Sequence, residues 1–227
     1  EWSKMLSTSA QEADPKKTQD YFVRHGRYTA GTATQYKPSL LTGDGARQSL
    51  ATGFGIGTRF HSAPVLRLSD VKPMQLGHFI RADGRWRLLA FADQHHPAQS
   101  ESKLRQLCDY LEKNSQSPLH RFTPKGADID SVIDVRAVFP QHFLDLELDT
   151  MPTLLLPKKG QFGLVDYEKI FCCDHKSGHD IYALRGINKE QGCIVLIRPD
   201  QYIADLFPLD DLAGISAFFE QILLPAS

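Results

Sequence analysis

The hydrophobic pattern of the chain is strongest between residues 58 and 93. Asp83-Gly84 lies there between two runs of strand-forming residues. Because Asp-Gly tolerates the positive φ of a type I′ turn, this arrangement predicts a β-hairpin. The second run, Trp86 to Ala92, is too continuously apolar for a strand that is wetted on one face. We therefore predict a strand inside a sheet that is covered on both faces.

Two downstream segments have the apolar spacing of amphipathic helices. The first is predicted to run from a cap at Ser100 to about Asn114, with inward residues at i, i+3, i+4 and i+7: Leu104, Leu107, Cys108 and Leu111. The second is predicted to begin at a cap on Asp210 and to end before Pro225, with four residues inward: Leu212, Ile215, Phe219 and Ile222. Both helices require a sheet to cover their apolar faces.

Further strands follow from alternation and from short apolar runs. Residues 133–139 alternate with one firmly apolar face, and Cys193–Ile197 has the composition of a buried strand followed by a tight turn and a return strand over Tyr202–Leu206. Residues 140–163 are rich in loop formers, and Leu164–Phe171 fits either a strand or a short helix. The order strand–helix–strand, irregular middle, strand–strand–helix predicts an α/β fold: a thioredoxin-like sheet with helices on both faces.

The first 57 residues have a different pattern. Residues 1–27 are predicted to form a helix with Asp14-Pro15 near a helix start and Gly26 at its end. Its small apolar stripe has no local sheet to cover, so we expect its packing partner to precede residue 1. Residues 28–57 are punctuated by glycines and are predicted to be a long connecting segment. Gly53-x-Gly55-x-Gly57 lacks the spacing and the following helix of a nucleotide-binding loop, which favours an ordinary loop.

Composition narrows the class of protein. A formal net charge of −1 argues against a dedicated nucleic-acid-binding protein, and no apolar run reaches membrane-spanning length. The N-terminal residues lack a secretory pattern, and the four cysteines form no C-x-x-C pair, which favours a reducing cytoplasm. Because position 1 is Glu, we expect the chain to be an engineered, processed or proteolytic piece of a longer protein.

A thioredoxin-like fold would place redox chemistry in the loop after its first covered strand. That loop is Asp93–Pro97, which contains no cysteine. Cys108 on an inward helix face and Cys193 in a buried strand are predicted to be small core residues. The fold is therefore predicted to be redox-inactive. An active thiol oxidoreductase or peroxidase would have to use Cys172 or Cys173.

One cluster has the residue types of a metal site: Cys172-Cys173-Asp174-His175 with His179. Adjacent cysteines in a strand point to opposite faces, and structural zinc prefers ligands at least two residues apart. We therefore predict a polar loop and assign no metal ligand, leaving the role of these residues open. His95-His96 is likewise predicted to be a capping or surface pair.

Charged residues suggest two further features. Asp145, Glu147 and Asp149 alternate and would share one solvated face of a strand. Between Thr58 and Arg87, six basic residues outnumber two acidic ones, a surplus of four. That surplus fits either a solvated edge or an interface to an acidic or phosphate-bearing neighbour.

Several motifs, in order, carry a resemblance to a known family. They are Gly31-Thr32-Ala33, Tyr36-x-Pro38-Ser39, Gly57-Thr58-Arg59-Phe60-His61-Ser62-Ala63-Pro64-Val65, Leu76-Gly77-His78, Asp83-Gly84-Arg85-Trp86, Phe91-Ala92-Asp93 and Arg198-Pro199-Asp200-Gln201-Tyr202. From about Arg27 to the C-terminus the chain resembles the C-terminal domain of FAD-dependent aromatic hydroxylases of the phenol 2-monooxygenase and 3-hydroxybenzoate 4-hydroxylase type.

The resemblance implies a thioredoxin-like domain that has lost its redox cysteines and forms subunit contacts in a homodimer. It implies that residues 1–27 close a preceding FAD domain, that 28–57 connect, and that 58–227 form the dimerisation domain. In the family, FAD and NADPH act in the upstream domains, where a phenolic ring is hydroxylated. We assign no catalytic, cofactor-binding or metal-binding residue to this chain, and the aromatic substrate is not encoded in it. The alternative is a free-standing, redox-inactive thioredoxin-fold binding module.

Overall fold

The computed structural model of the chain describes residues 15–176 and 178–226, which fall into two compact units dividing between Gln35 and Tyr36. The first unit contains helix α1 (Pro15–Thr29). The predicted N-terminal helix is confirmed over its described part, whereas Asp14 and the residues before it lie outside the described range. The predicted end at Gly26 is wrong: the helix continues to Thr29, and Gly31 adopts the left-handed φ of 69° just beyond it.

The second unit is built on a seven-stranded mixed sheet. Its strands are β1 (Pro64–Arg67), β2 (Lys72–Gln75), β3 (Trp86–Phe91), β4 (Ile133–Phe139), β7 (Ile170–Cys173), β8 (Cys193–Ile197) and β9 (Ile203–Phe207). Their spatial order is β2-β1-β7-β4-β3-β8-β9. Strands β3, β4 and β7 are mutually parallel, and β1, β2, β8 and β9 extend the sheet by antiparallel pairing. A separate two-stranded hairpin consists of β5 (Lys158–Lys159) and β6 (Leu164–Val165).

Helices cover both faces of this sheet. They are α2 (Lys103–Lys113), α3 (Pro118–Phe122), α4 (Ile181–Arg185) and α5 (Leu212–Ile222). The apolar residues of α2, α3 and α5 belong to the core on one face, and those of α4 belong to the core on the other. Three parallel central strands, an antiparallel pair β8–β9 beside them and helices on both faces make the unit thioredoxin-like, so the predicted fold class is confirmed.

Strand β3 lies at the centre of the core. All six of its residues are buried. Leu88 and Ala90 face the core beneath α2 and α5, whereas Leu89 and Phe91 face the opposite core. The prediction of a strand covered on both faces is therefore confirmed, because two apolar layers leave no face for water.

The predicted hairpin at Asp83-Gly84 is wrong. Gly84 does have a positive φ of 84°, but residues 76–79 form a 3₁₀ turn and β3 pairs with β4 and β8. The Asp83 carboxylate accepts hydrogen bonds from Arg85 and Arg87, which closes a local loop without a second strand. The hairpin of this region is β1–β2, whose polar second strand carries no strand signal in the sequence.

Three smaller predictions also need correction. Helix α2 begins after Ser102, not Ser100, and α5 begins after Asp211, not Asp210; each true cap accepts a backbone N–H bond. The inward residues of α2 and its end at Asn114 are as predicted. Asp145, Glu147 and Asp149 do not share a strand, since residues 143–145 and 148–150 are 3₁₀ turns. The undecided segment Leu164–Phe171 divides between β6 and the start of β7.

Residues 36–57 of the glycine-rich segment before β1 belong to the second unit and pack against its sheet. Phe54 and Ile56 belong to the core that also contains α4. Gly57 has φ of 81°, donates its N–H to the Ile203 carbonyl, and approaches Tyr36 so closely that a Cβ would lie 2.3 Å from that residue's carbonyl oxygen. Because the glycine permits this close backbone approach, the spaced glycines have a packing explanation rather than a nucleotide-binding one.

Candidate functional site: the thioredoxin-like loop and its surroundings

The loop after β3 lies where a thioredoxin-like fold would place its redox site. It runs from Asp93 through Pro97 to the start of α2. Asp93 is fully buried, and its Oδ1 accepts hydrogen bonds from the Leu104 N–H (3.3 Å) and the Ser102 hydroxyl (3.4 Å). A carboxylate therefore occupies the N-terminal end of the helix, where the helix dipole favours negative charge.

The same carboxylate holds His95. Asp93 Oδ2 lies 2.6 Å from His95 Nδ1, and the His95 side chain is 42% exposed. Gln141 fixes the loop backbone by donating to the carbonyls of Gln94 (2.8 Å) and His95 (3.2 Å). An aspartate that orients a histidine through Nδ1 is the arrangement in which the outer nitrogen, Nε2, serves as a general base for a neighbouring nucleophile. Among the described residues, however, no hydroxyl or thiol hydrogen-bonds to His95, so the pair has no adjacent nucleophile to activate.

Sequence reasoning placed His95 and His96 together as a capping or surface pair. His96 does cap the local turn, since its Nδ1 accepts the Ala98 N–H at 3.1 Å. His95 differs because it is anchored to a buried acid. The pattern Asp-x-His was the available signal, but the burial of Asp93 could not be read from its sequence neighbours.

All four cysteines are free and buried. Cys172 belongs to the core on one face of the sheet and Cys173 to the core on the other, as the alternation of strand residues predicts. Burial raises the pKa of the Cys193 thiol to about 12; burial, with the nearby charges of Asp174 and Asp180 respectively, raises the pKa values of Cys172 and Cys173 to about 12 as well. Burial also raises the pKa of Cys108. The thiols are therefore protonated at neutral pH and poor nucleophiles.

We expect the native chain to react with a thiol reagent at less than about a hundredth of the rate of the unfolded chain at mildly alkaline pH. All four thiols should react once guanidinium unfolds the chain. Ellman's reagent provides the measurement, with the unfolded chain as the control for reagent and thiol content. Rapid labelling of even one thiol in the native chain would contradict the burial described above.

The histidines near Cys173 do not complete a metal site within the described residues. The His175 ring stacks on the His142 ring, with 5.5 Å between the ring centroids. The backbones of Asp174 and His179 form an isolated antiparallel β-bridge. No group of three or more metal-ligating side chains occurs in residues 15–176 and 178–226. The opposite orientations of Cys172 and Cys173 keep their sulfurs from a common ion.

Three of the six basic residues between positions 58 and 87 form ion pairs with acids of that stretch or of distant parts of the chain: Arg67, Arg85 and Arg87. Arg67 forms ion pairs with Asp70 and Glu168, both at 2.6 Å. Arg87, which is 1% exposed, pairs with Asp83 at 2.7 Å and with Asp134 at 3.1 Å. The charges of Arg67 and Arg87 are therefore matched by these carboxylates, and neither guanidinium is free to bind an anion. Arg59, Lys72 and Arg81 are exposed and form no ion pair with another described residue, so both interpretations drawn from the sequence stay predictions for these three residues.

Arg87 is part of a buried ionic cluster at the amino ends of β3, β4 and β7. Its members are Asp83, Arg85, Arg87, Asp130, Asp134, Arg136, Lys159, Asp166 and Lys169. Asp134 lies at its centre: it is fully buried, accepts from Arg136 Nε at 2.9 Å, and also pairs with Lys169 Nζ. Burial opposes ionisation of Asp134, but the charges of Arg136, Lys169 and Arg87 outweigh it and lower its pKa.

Asp130 gives this cluster a measurable pH dependence. Burial opposes its ionisation, yet attraction to Lys169 and Lys159 outweighs that effect and lowers the pKa of Asp130 from 3.8 to about 2. Because the folded-state pKa lies below the ordinary value, the ionised carboxylate stabilises the fold above pH 3.8. The contribution is lost as the pH falls from 3.8 toward 2.

We expect Asp130→Asn to lower the free energy of unfolding at neutral pH and to flatten its decline between pH 3.8 and 2. Urea denaturation at a series of pH values measures both effects. The matched control is Asp149→Asn, which changes an exposed carboxylate and should leave the slope unchanged. An unaltered acid slope in Asp130→Asn would show that Asp130 does not carry this contribution.

Comparison with known proteins decides the family. The family described as "Phenol hydroxylase, C-terminal dimerisation domain" matches residues 34–227. The chain belongs to this family. The family resemblance drawn from the motifs between Gly31 and Tyr202 is thereby confirmed.

Three proteins that are similar to this chain are longer than it is. The chain is 56% identical to the 3-hydroxybenzoate 4-monooxygenase of Comamonas testosteroni, over 98% of this chain and 36% of that protein. It is 34% identical to the FAD-dependent monooxygenase terD of Aspergillus terreus, over 98% of this chain and 38% of that protein. It is 29% identical to the phenol 2-monooxygenase fsqG of Aspergillus fumigatus, over 86% of this chain and 32% of that protein. The dimerisation-domain chain thus spans about a third of the length of these relatives.

Solved structures give more distant likenesses. A putative protein disulfide isomerase from Bacteroides thetaiotaomicron has a TM-score of 0.42 at 13% identity, covering 75% of this chain and 91% of that one. A PrxQ variant from Xylella fastidiosa has a TM-score of 0.34 at 13% identity, covering 72% and 91%. Within the described residues of the dimerisation-domain chain, no helix has the length and apolarity needed to span a bilayer.

Proposed function

We propose that this chain is the non-catalytic dimerisation and scaffold domain of an FAD-dependent aromatic monooxygenase. This proposal rests on the family match over residues 34–227, together with 56% identity to part of a 3-hydroxybenzoate 4-monooxygenase. About two thirds of that relative lies outside the matched region. We place FAD, NADPH and the hydroxylation of a phenolic ring in the corresponding upstream domains of the parent enzyme.

The described site supports a scaffold role rather than a redox one. A thioredoxin-like fold acts through a thiolate at the start of a helix, and here Asp93 occupies that position. The cysteines lie in the core, where burial raises their pKa values. The chain has no adjacent nucleophile at His95 among its described residues. These features favour structure over catalysis.

The domain organisation is also a proposal. Residues 1–27 are assigned to the end of the preceding FAD domain, and residues 58–227 to the dimerisation domain. Residues 28–57 connect the two, with their latter half packed on the dimerisation domain through Phe54 and Ile56. We further propose a cytoplasmic parent enzyme, since four free thiols suit a reducing compartment.

Sedimentation velocity of the 227-residue chain tests this proposal. We expect a particle of about twice the 25.5 kDa chain mass, because the contacts between subunits belong to this domain. The same preparation should bind no FAD, measured by absorbance after gel filtration with added cofactor, and should consume no peroxide with a thiol reductant. A chain that stays monomeric at high concentration, or that retains FAD, would overturn the proposal.

Removing residues 58–227 from the parent enzyme provides the complementary measurement. The truncated enzyme should keep its flavin and lose its dimeric mass. The intact mass of the native protein distinguishes the proposal from the alternative of a free-standing module. A mass that includes an upstream flavin domain in the same polypeptide would exclude the free-standing module.

A further inference from the structure

The hairpin β5–β6 projects large apolar side chains into solvent. We call residues 158–165 the arm: Lys158 pairs with Val165, and Lys159 with Leu164. Phe162 in its turn is 78% exposed, and Leu164 is 70% exposed. A two-stranded hairpin is at best marginally stable in water, and adjacent exposed apolar residues are typical of interaction sites. The arm is therefore a candidate interaction site, and its base requires an anchor.

The anchor is the buried ionic cluster. Lys159 Nζ lies 2.7 Å from Asp130 Oδ2 and 3.1 Å from Asp166 Oδ2, and Gly160 donates its N–H to Asp128 at 2.9 Å. These bonds hold the base of the arm, whereas its tip contains Phe162. The ordered base reduces the entropy that the arm would lose on binding.

The same chain carries a cavity that suits an aromatic side chain. A cavity of about 300 Å³, which we call the receiving cavity, is lined by Leu66, Val71, Pro73, Phe143, Asp174 and Lys176. Four of its six lining residues are apolar, and a phenyl ring is small enough to enter it. The remaining two are charged and can face the polar rim of an interface.

Val71 in the receiving cavity has an unfavourable backbone conformation. Its φ is 54°, in the left-handed region where β-branched residues are rare and glycine or asparagine is favoured. The residue lies in the turn between β1 and β2 and is 38% exposed. A valine at this strained position is consistent with a side chain that is used for binding.

Charge also matches the arm to the segment that follows the cavity residue Phe143 in the sequence. Asp145, Glu147 and Asp149 follow Phe143 and are exposed, and no ion pair joins them to another described residue. The arm carries the exposed cation Lys158. Opposite charges on the two surfaces favour an encounter between arm and cavity and fix its orientation.

We propose that the arm of one copy inserts Phe162 into the receiving cavity of a second copy of this chain, and that the second arm does the same in return. Such a reciprocal contact is the isologous arrangement of a two-fold dimer. The inference deepens the proposed dimerisation function and rests on it. It assigns that function to two defined surfaces.

Cysteine cross-linking between two single variants tests the contact directly. Phe162→Cys and Val71→Cys chains are prepared separately, mixed and oxidised. We expect a disulfide-linked dimer with one chain of each kind, identified by intact mass, because the native thiols are buried. The control mixture pairs Phe162→Cys with Leu224→Cys, whose side chain is 90% exposed outside both surfaces. Equal cross-linking in the two mixtures would overturn the proposal.

Association of full-length variants gives an independent measurement. We expect Phe162→Ser to raise the dimer dissociation constant at least about tenfold, whereas Leu224→Ser leaves it unchanged. Val71→Asn should raise the dissociation constant of the dimer, and at concentrations where both chains are monomeric it should increase the urea denaturation midpoint, since asparagine tolerates the left-handed backbone. If Val71 had no role in binding, Val71→Asn would raise the denaturation midpoint and leave the dissociation constant unchanged.

The outcomes also separate the two levels of the proposal. A wild-type chain that is a dimer, with Phe162→Ser equally dimeric, would overturn the arm and leave the dimerisation function standing. A wild-type chain that is monomeric at every concentration would overturn both.

Discussion

Replacing Asp134 by asparagine is expected to cost about 3–5 kcal/mol of the free energy of unfolding. The side chain is fully buried between Arg87, Arg136 and Lys169. Asparagine keeps the shape but removes the negative charge, so three cations would remain in a buried site with too few counter-ions. Breaking a buried ionic group by removing one partner costs more than the intact group contributes, because desolvated charge is left unpaired. Urea denaturation at neutral pH measures the loss.

Asp145→Asn is the matched control for this measurement. It makes the same chemical change at an exposed carboxylate and is expected to alter the free energy of unfolding by no more than about 0.5 kcal/mol. The m-value should be the same in both variants and in the wild type if the unfolding is two-state. Equal stabilities of the two variants would show that the cluster does not depend on the Asp134 charge.

Replacing Gly192 by alanine is the second change with a large expected effect. Gly192 precedes β8 with φ of 63°, and a Cβ there would lie 2.3 Å from the Phe91 carbonyl oxygen and 2.6 Å from Leu209 Cδ1. Gly84→Ala is the control, since its φ is 84° and a Cβ there would meet nothing within 4 Å. Both variants carry the cost of a left-handed alanine, about 1–2 kcal/mol.

Only Gly192→Ala adds a collision with the backbone of the central strand. We therefore expect it to be about 1–3 kcal/mol less stable than Gly84→Ala. Thermal and urea unfolding of the two variants measure this difference. The free-energy cost of a left-handed alanine is common to both variants and cancels. Equal stabilities would mean that the end of β3 moves away at little cost, in conflict with the packing described for it.

The sequence predicted the elements whose own residues determine them. Strands β3, β8 and the inward face of α2 are visible in continuous or periodic apolar positions, and the fold class follows from their order. Hairpin β1–β2 was missed because Lys72–Gln75 is polar and contains Pro73. The Asp83-Gly84 signal was misleading because a local turn preference cannot show that β3 pairs with strands far along the chain.

The site was predictable only in part. The lack of a cysteine between Asp93 and Pro97 is evident in the sequence, as is the alternation that separates Cys172 from Cys173. The burial of Asp93 is not evident, because it depends on Ser102 and Leu104 packing over it. The ionic cluster was not predictable for the same reason. Arg87, Asp134 and Lys169 lie far apart in the sequence, and a charged residue considered alone is expected to be exposed to solvent.

The segment before β1 has a practical consequence for how the domain is cut. Gly43 and Gly57 donate their N–H groups to the carbonyls of Ala204 and Ile203 along the outer side of β9. A shortened version that starts at Thr58 would expose those carbonyls on the five-residue strand at the edge of the sheet. Exposed strand edges recruit other chains into aggregates, so a version that retains Tyr36 onward is the one suited to crystallisation and to transfer between enzymes.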